Sequence, residues 1–352
     1  MSGSSPPRFE YGDHTVALRP DSNPKDVAVA IDGTRQQIGS VVVSLRAHDR
    51  LPDRLVEAAA SELGDSNNAL LYVLGDATDL SPEVLLPFQK IKHLNLNVRN
   101  LGTWQFLSQF TALHTLMIQN SPKGTAPLTV LDGMNELSRL SIPAAVKEPD
   151  ALGRCSQLRY LHCSSSKPVI DALAGHPALE FLDIAFGTNR DLQALARIRS
   201  LIGVAIYQIR SLTGDDLVPI GQCQGLRALS LGALRNVSHL SALRAKPRYT
   251  LQALLIEDLP SLGSLSDVAA CERLERLGLY GSRPKDKSLQ PLAQLKNLTH
   301  LVLGDPYPAS EITALTSWYS GAVRYRDKIS RGAPGPAWRT PIDRLAPQPP
   351  AT

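Results

Sequence analysis

Leucine recurs along this chain in one register, L-x-x-L-x-L, and ten copies of the pattern follow one another at intervals of 21 to 25 residues. Mostly apolar residues also occupy the positions three and six before each copy; the eighth copy departs from this rule at Ala245 and Arg248. Ten copies in phase indicate a repeat architecture in which each copy is one structural unit. The copies start at Ile91, Leu113, Leu137, Leu158, Leu179, Leu201, Leu226, Leu251, Leu274 and Leu298.

Each repeat is predicted to fold as a short helix followed by a strand. Apolar residues spaced three apart mark the buried stripe of a helical turn, and the L-x-L segment has the period of two that is typical of a strand with one buried face. A single unit of this size cannot bury its apolar stripe alone. We therefore expect neighbouring repeats to stack into an α/β solenoid with one continuous core.

The pattern resembles the leucine-rich repeat family over residues 85–305, about two thirds of the chain. The resemblance implies a curved parallel sheet on the concave side, short helices on the convex side, and caps at both ends. It also implies that the concave face binds a partner protein, because such repeat proteins present extended concave binding surfaces.

The ninth position of the repeat departs from the family pattern. The family usually has asparagine or cysteine there, and that side chain bonds to backbone groups along the turn. We expect no asparagine ladder in this chain and irregular turns whose backbone groups are satisfied by other groups or by water. The ninth positions are Arg99, Ser121, Ala145, Ser166, Gly187, Ile209, Leu234, Leu259, Ser282 and Pro306.

The segments outside the repeats are predicted to be caps and loose ends. We expect a flexible N-terminus (1–25), an N-terminal cap (26–84), the repeats (85–305), a C-terminal cap (306–330) and a disordered, proline-rich basic tail (331–352). Turn residues and apolar patterns predict the elements of the caps. They are strands at Asp26–Ile31, Ile38–Leu45 and Ala69–Leu74, and helices at Leu51–Leu63, from Ser81 onward, and at Ser310–Trp318.

Composition and charge narrow the class of protein. The longest hydrophobic run, residues 69–74, is far too short to cross a membrane. The net charge of +4 resides in residues 321–352 rather than on one face of the repeats, so nucleic-acid binding is not expected. No secretory signal is evident at the start, and we expect a cytoplasmic protein; the alternative is a secreted effector without a cleavable signal peptide. Abundant arginine and alanine suggest a bacterial genome.

Cofactor and metal sites are not predicted. No phosphate-binding glycine loop, zinc spacing or calcium loop occurs in the sequence. Cys155, Cys223 and Cys271 share one buried helical slot of the repeat, and Cys163 occupies a leucine slot of its strand. We therefore expect four free cysteines in the core and no metal ligation.

Three consecutive residues of the fifth repeat position, Ser141, His162 and Asp183, have the composition of a catalytic triad. Neighbouring parallel strands lie about 4.8 Å apart, so contact between these side chains is feasible. However, the sequence supplies no oxyanion hole and no nucleophile elbow. A His162–Asp183 hydrogen bond that orders the surface is the favoured interpretation, and a hydrolase is the less favoured alternative.

Aromatic residues point to a binding surface. Residues 111–248 hold only four aromatics, and all four are predicted to face outward at the middle of the concave side. Clustered exposed aromatics are typical of protein interfaces and their hot spots. With two polar neighbours they form the predicted partner-binding site: Tyr160, His162, Phe181, Asp183, Phe186 and Tyr207.

The resulting prediction is a non-enzymatic module for protein–protein interaction that binds a partner protein on its concave face, without nucleic acid, membrane or small-molecule cofactor. A scaffold role is compatible with this prediction. Two narrower versions remain open: a bacterial immunity protein that neutralises a toxin, and a secreted effector that acts through the same face. His93, Asn95, Arg139 and Arg276 are predicted to lie nearer the rim of that face.

Overall fold

A computed structural model of the chain describes residues 15–47, 49–64, 66–76, 82–99, 104–119, 125–244, 251–304 and 307–325. These residues form two compact units, which divide between Arg159 and Tyr160, inside the predicted repeat array. The predicted basic tail lies outside the described residues. So do Ala245 and Arg248, where the eighth copy departs from the pattern, and Ser81, the predicted start of a helix. Within the described ranges, no helix has the length and the apolar composition that a membrane crossing requires.

The N-terminal unit is built on a parallel sheet with the strand order β1-β2-β3-β4-β5-β7, and β6 pairs with β8 in a separate parallel pair. The strands are β1 (Thr15–Ala17), β2 (Val41–Arg46), β3 (Ala69–Asp76), β4 (His93–Arg99), β5 (Thr115–Gln119), β6 (Thr125–Pro127), β7 (Arg139–Ile142) and β8 (Ala145–Lys147). The helices are α1 (Pro24–Ile38), α2 (Asp53–Leu63) and α3 (Ala151–Arg154), with 3-10 helices at Pro82–Phe88, Gln105–Gln109 and Leu128–Leu131.

The start of the N-terminal unit differs from the prediction. The predicted strand at Asp26–Ile31 is wrong, because these residues belong to α1. The side chain of Asn23 caps this helix by accepting a hydrogen bond from the Lys25 backbone N–H at 2.9 Å. Pro24 occupies the first turn, and Gly39, with a φ of 79°, ends the helix. A flexible N-terminus also does not hold for residues 15–25, since they contain β1 and the first residues of α1.

The C-terminal unit contains eight parallel strands that pair in chain order. They are β9 (Tyr160–Ser165), β10 (Phe181–Gly187), β11 (Gly203–Tyr207), β12 (Ala228–Gly232), β13 (Ala253–Glu257), β14 (Arg276–Tyr280), β15 (His300–Leu303) and β16 (Ala322–Tyr325). The helices are α4 (Lys167–Ala172) and the predicted last helix, α5 (Ala309–Trp318), with 3-10 helices at Gln193–Arg197, Asp215–Gln222, Ser241–Arg244, Val268–Ala270 and Gln290–Gln294.

The helix type explains the spacing of apolar residues in the repeats. Most connecting helices in the described repeats are 3-10 helices. A 3-10 helix has three residues per turn, so residues three apart lie on the same face. That geometry places Leu217 and Ile220 together in the core, 2% and 1% exposed. The predicted short helices are therefore present.

The strand register of the repeats is confirmed. Leu182 pairs with Leu161 on one side and with Val204 on the other, and all three side chains are completely buried. Equivalent leucine positions pair across β11 to β15 in the same way. The predicted α/β architecture of parallel strands and short helices is thus present, and the leucine slots of the pattern form its core.

The turns after the strands of the C-terminal unit are more regular than predicted. The eighth repeat position adopts a left-handed conformation in five successive repeats, with φ between 52° and 61° at Phe186, Gln208, Ala233, Asp258 and Gly281. The ninth position is a buried aliphatic residue in three of these repeats, Ile209, Leu234 and Leu259. At the ninth position of these three repeats, a buried aliphatic side chain thus takes the place of the asparagine that is usual in the family.

Polar groups still satisfy the backbone of these turns. The backbone N–H groups of Gln208, Ala233 and Asp258 each donate to a carbonyl of the next strand, at 3.0, 2.8 and 2.7 Å. At the ninth position of the following repeat, the Ser282 hydroxyl accepts from the Leu259 N–H at 2.9 Å and donates to the Tyr280 carbonyl at 3.0 Å. At Ser282, a side chain other than asparagine thus satisfies backbone groups of the turn, as predicted.

All four cysteines are buried and free of disulfide bonds, as the repeat positions predict. Burial raises the pKa of Cys155 to about 11 and the pKa values of Cys223 and Cys271 to about 12. Burial also raises the pKa of the Cys163 thiol, with a smaller contribution from the nearby Asp183 carboxylate. Thiolate formation at neutral pH is therefore suppressed at all four positions.

We expect the native protein to react slowly with a thiol reagent and the denatured protein to react at once with four equivalents, because only unfolding exposes the buried thiols. Titration with a chromogenic disulfide at pH 8, with and without guanidinium, measures both states. Fast reaction of any native cysteine would contradict the register of the repeat that contains it.

Candidate functional site

The six predicted site residues lie on three neighbouring strands of the C-terminal unit, β9, β10 and β11. Tyr160 pairs with Phe181, and His162 pairs with Asp183. Tyr207 pairs with Ala185, the residue before Phe186. Five of them alternate along their strands with the buried leucine slots, so they belong to the opposite side of the sheet. Phe186 comes after this alternation, at the irregular end of β10, where the pairing with β9 shifts register. We call this side, formed by repeat positions three, five, seven and eight of the C-terminal unit, the open face.

The exposure of the six side chains differs widely. Phe186 is 50% exposed, whereas Tyr160 and Asp183 are each only 6% exposed. Phe181, His162 and Tyr207 are partly buried. The prediction that all four aromatics are available on the surface is therefore wrong for Tyr160, whose ring is covered. Phe181, Phe186 and Tyr207 remain as accessible aromatics.

Phe186 stands on a strained turn at the end of β10. Its φ is 61°, a conformation that bulky side chains rarely adopt, and Gly187 follows with a φ of 89°. The pairing of β10 with β9 shifts register between Ala185 and Gly187, which is a β-bulge. Bulges redirect side chains at the edges of sheets and next to functional sites. Here the bulge places an exposed aromatic ring at the end of the strand.

Gly187 is required by its surroundings as well as by its φ. A β-carbon at this position would lie 2.1 Å from the backbone oxygen of Ser165 on the neighbouring strand. No side chain fits at that distance, so the two backbones approach each other as closely as they do because residue 187 is glycine. The Phe186–Gly187 pair thus fixes the turn that carries the exposed ring.

Tyr207 lies against the next strand. A β-carbon on Gly232, its pairing partner on β12, would lie 2.2 Å from Tyr207 Cδ2 and 2.3 Å from Cε2. One edge of the tyrosine ring therefore fills the volume that a side chain at position 232 would take. Burial raises the pKa of the Tyr207 phenol, and the nearby carboxylates of Glu257 and Asp258 raise it further.

The predicted hydrogen bond between His162 and Asp183 is not formed. The distance from His162 Nδ1 to Asp183 Oδ2 is 3.1 Å, but the orientation of the groups does not meet hydrogen-bond geometry, and the buried Nδ1 has no hydrogen-bond partner among the residues that the structure describes. The two side chains are close enough for an ion pair when the imidazole is protonated. Ser141, the third residue of the candidate triad, lies on β7 in the N-terminal unit.

Two of the predicted rim residues are buried in the N-terminal unit. Asn95 is completely buried and His93 is 4% exposed. His93 Nδ1 lies 3.0 Å from Thr115 Oγ1, and its Nε2 lies 2.9 Å from the Asn67 carbonyl oxygen. Burial lowers the pKa of His93 to about 4, so this imidazole is neutral at pH 7. Arg139 and Arg276 are partly buried.

Three residues of the open face were not predicted as site residues. Glu257 and Tyr280 occupy the seventh repeat position on β13 and β14, and Asp258 follows at the eighth. Their positions in the repeat are those of Tyr207 and Phe186, and this shared register was the available signal. No group of three histidine, cysteine or carboxylate side chains in the described residues could hold a metal ion.

Comparison with known proteins supports the fold. Neither a protein-family model nor a curated protein sequence matches the chain. An internalin structure from Listeria monocytogenes superimposes with a TM-score of 0.54 at 16% identity, covering 88% of this chain and 97% of the internalin. A leucine-rich-repeat protein from Leptospira interrogans covers 81% of this chain and 79% of its own length, with a TM-score of 0.46 at 19% identity.

Mouse RP105, solved in complex with MD-1, superimposes with a TM-score of 0.49 at 15% identity over 82% of this chain and 55% of RP105. The internalin superposition is the one that carries the assignment, and at this level of identity it concerns the fold alone. It agrees with the in-phase leucine slots, the parallel strands and the short connecting helices described above. The chain therefore has the α/β fold of leucine-rich-repeat proteins.

Proposed function

We propose that the protein is a non-enzymatic interaction module that binds a partner protein on the open face of its C-terminal unit. The observation that carries the proposal is Phe186, a 50% exposed aromatic side chain held in a left-handed conformation. A half-exposed ring contributes little apolar burial to the core, so packing does not explain this residue. Exposed aromatic residues of this kind are typical anchors of protein interfaces.

The strain at Phe186 supports a role in binding. A bulky residue at positive φ costs about 1–2 kcal/mol relative to glycine. Unfavourable backbone conformations of this kind cluster at binding and catalytic sites, where the conformation itself is useful. In the four following repeats the same position holds Gln208, Ala233, Asp258 and Gly281, so the turn itself does not need an aromatic residue.

The neighbouring side chains fit a hot spot. Phe181 and Tyr207 are partly buried on the same face, which leaves them preorganised by their surroundings. Preorganised aromatics bind with a small loss of side-chain entropy. Tyr160, His162 and Asp183 occupy neighbouring positions on β9 and β10 and are themselves covered or nearly covered.

Two versions of the function fit this surface. A cytoplasmic immunity protein would hold a toxin in a tight complex of fixed stoichiometry. A secreted effector would instead engage a host protein. Identification of the partner by affinity capture with the full chain, followed by measurement of stoichiometry and Kd, separates the two.

The function is tested with Phe186→Asn. Asparagine tolerates the left-handed region far better than phenylalanine, so the variant should unfold at the same temperature as wild type or higher. Its affinity for the captured partner should fall by at least about 2 kcal/mol, or roughly thirtyfold in Kd, if Phe186 is a central anchor. Calorimetric unfolding and titration calorimetry give the two readings on one sample.

Val218→Ala is the matched control for this experiment. Val218 is another exposed hydrophobic residue of the C-terminal unit, 37% exposed, and it lies on the 3-10 helix Asp215–Gln222 rather than on a strand. Its truncation should leave the Kd unchanged. An unchanged Kd for Phe186→Asn as well would show that the partner binds elsewhere.

A further inference from the structure

A buried histidine of the N-terminal unit joins three neighbouring segments of the chain. His93, the first residue of β4, is only 4% exposed. Its Nε2 lies 2.9 Å from the carbonyl oxygen of Asn67, which precedes β3. Its Nδ1 lies 3.0 Å from the hydroxyl oxygen of Thr115, the first residue of β5. The imidazole therefore links the segment before β3 to both β4 and β5.

These two contacts suit the neutral imidazole. A carbonyl oxygen can only accept a hydrogen bond, so Nε2 carries the proton and donates to Asn67. Nδ1 is then the acceptor, and the Thr115 hydroxyl donates to it. A second proton, on Nδ1, would displace the hydrogen of the hydroxyl and put a positive charge in a site that is almost closed to water. Burial of a charge in such a site is costly.

The two side chains whose charge acts on His93, Lys92 and His114, are both basic. The His114 ring meets the His93 ring edge to face, with 6.1 Å between the ring centroids. A proton on His93 therefore meets repulsion from these neighbours rather than a counter-charge. Among the described residues, the titratable or charged side chains next in the strand register are Tyr72 on β3 and Arg139 on β7, and Glu136 contacts His114 Nε2.

The cost of protonation appears in the pKa of His93. Burial is the largest cause that lowers this pKa from 6.5 to about 4; His114 and Lys92 lower it further, and the hydrogen bond to Asn67 partly opposes them. In the unfolded chain the imidazole takes up its proton near pH 6.5. Below that pH the unfolded state binds more protons than the folded state, so stability falls as the pH falls. The loss is complete once the pH drops below the pKa of the folded state.

We propose that His93 makes the N-terminal unit acid-sensitive: the neutral imidazole holds the segment before β3 against β4 and β5, and its protonation loosens the unit at these strands. The device lies in the N-terminal unit, so the inference does not depend on the proposed function of the C-terminal unit. It adds a response to mild acid that the repeat fold by itself does not require.

Urea unfolding of the full-length protein at pH 7.5 and pH 5.0 tests this inference with the variant His93→Gln. Glutamine offers an amide N–H to Asn67 but does not titrate. Between the two pH values, the folding equilibrium constant of the wild type should fall roughly thirtyfold more than that of the variant. The carboxylates titrate in both proteins, so the comparison removes their contribution.

His300→Gln is the matched control, because it makes the same substitution at an exposed histidine, on β15. This variant should keep the pH dependence of the wild type. An equal pH dependence in wild type and His93→Gln would overturn the inference.

A titration of the folded wild type gives a second reading that does not depend on the folding of any variant. Carbon-13 labelling of the histidines allows NMR to follow the protonation of each imidazole. The His93 resonance should report a neutral ring at pH 5.5. A His93 that is already protonated at pH 6 in the folded protein would contradict the proposal.

Hydrogen exchange measured by mass spectrometry locates the opening. After correction for the intrinsic exchange rate, the wild type at pH 5.0 should lose protection in β3, β4 and β5, and it should lose more than His93→Gln does. The C-terminal unit also contains a buried histidine, His176, whose Nδ1 accepts from the Leu179 N–H at 3.1 Å. Loss of protection around His176, with β3 to β5 still protected, would assign the acid sensitivity to that residue and overturn the inference.

Discussion

Leu182→Ala is expected to lower the free energy of unfolding by about 2–5 kcal/mol, whereas Phe181→Ala, one residue earlier on β10, should lower it much less. Leu182 is completely buried between Leu161 and Val204. Its truncation loses apolar burial and leaves a cavity in a core that neighbouring strands hold in place. Phe181 belongs to the other face and is only partly buried.

Urea unfolding of both variants, followed by circular dichroism, measures the difference. The comparison is sharp because adjacent residues of a strand point to opposite faces, and a shift of one residue in register exchanges their roles. Equal losses for the two variants would show that the assigned faces of β10 are wrong. The candidate site would then have to be moved, because every open-face residue was assigned from the same register.

The leucine pattern was sufficient to predict the repeat fold because its information is redundant. Each repeat reports the same alternation, so the fully buried Leu182, Leu254 and Leu301 are identified by ten aligned copies rather than by one segment. Stacking then follows from the need to bury the apolar stripe of each unit. The 3-10 form of the helices was also implicit in the spacing of three.

Helix α1 is the element whose type was predicted wrongly from the sequence. Asp-Gly-Thr-Arg inside α1 has the composition of a turn, and Val27, Val29 and Ile31 alternate as in a strand. Val29 is nevertheless 73% exposed, while Val27 and Ile31, four residues apart, are buried on one helical face. The Asn23–Pro24 start and Gly39 at the end were the stronger signals, because they satisfy both ends of a helix.

The strand positions of the candidate residues could be predicted from the register, but their exposure could not. The register places Tyr160 and Asp183 on the open face, yet both are covered, because alternation fixes which face a side chain joins and not what neighbouring rows place over it. The bulge at Phe186 could not be read from the pattern either. It depends on the approach of the β9 and β10 backbones at Gly187, which no residue spacing encodes.

Gly187→Ala is expected to lower the free energy of unfolding by about 3 kcal/mol, because two separate costs add. Alanine at a φ of 89° is disfavoured, and its β-carbon would meet the Ser165 backbone oxygen at 2.1 Å. The overlap involves backbone rather than a flexible side chain, so the β9–β10 pairing must open to relieve it. Urea unfolding measures the loss.

Gly175→Ala isolates the first of these costs, the conformational one. Gly175 has a similar φ, 77°, but nothing lies within 4 Å of its β-carbon position, so only the conformational cost of about 1–2 kcal/mol applies. Binding should separate the variants further. Gly187→Ala displaces the turn that holds Phe186, so it should lower the affinity for the partner at least as much as Phe186→Asn does. Gly175→Ala should bind the partner like wild type. A Gly187→Ala variant that keeps full affinity would show that the bulge is a packing feature, and that the geometry of its turn does not matter for recognition.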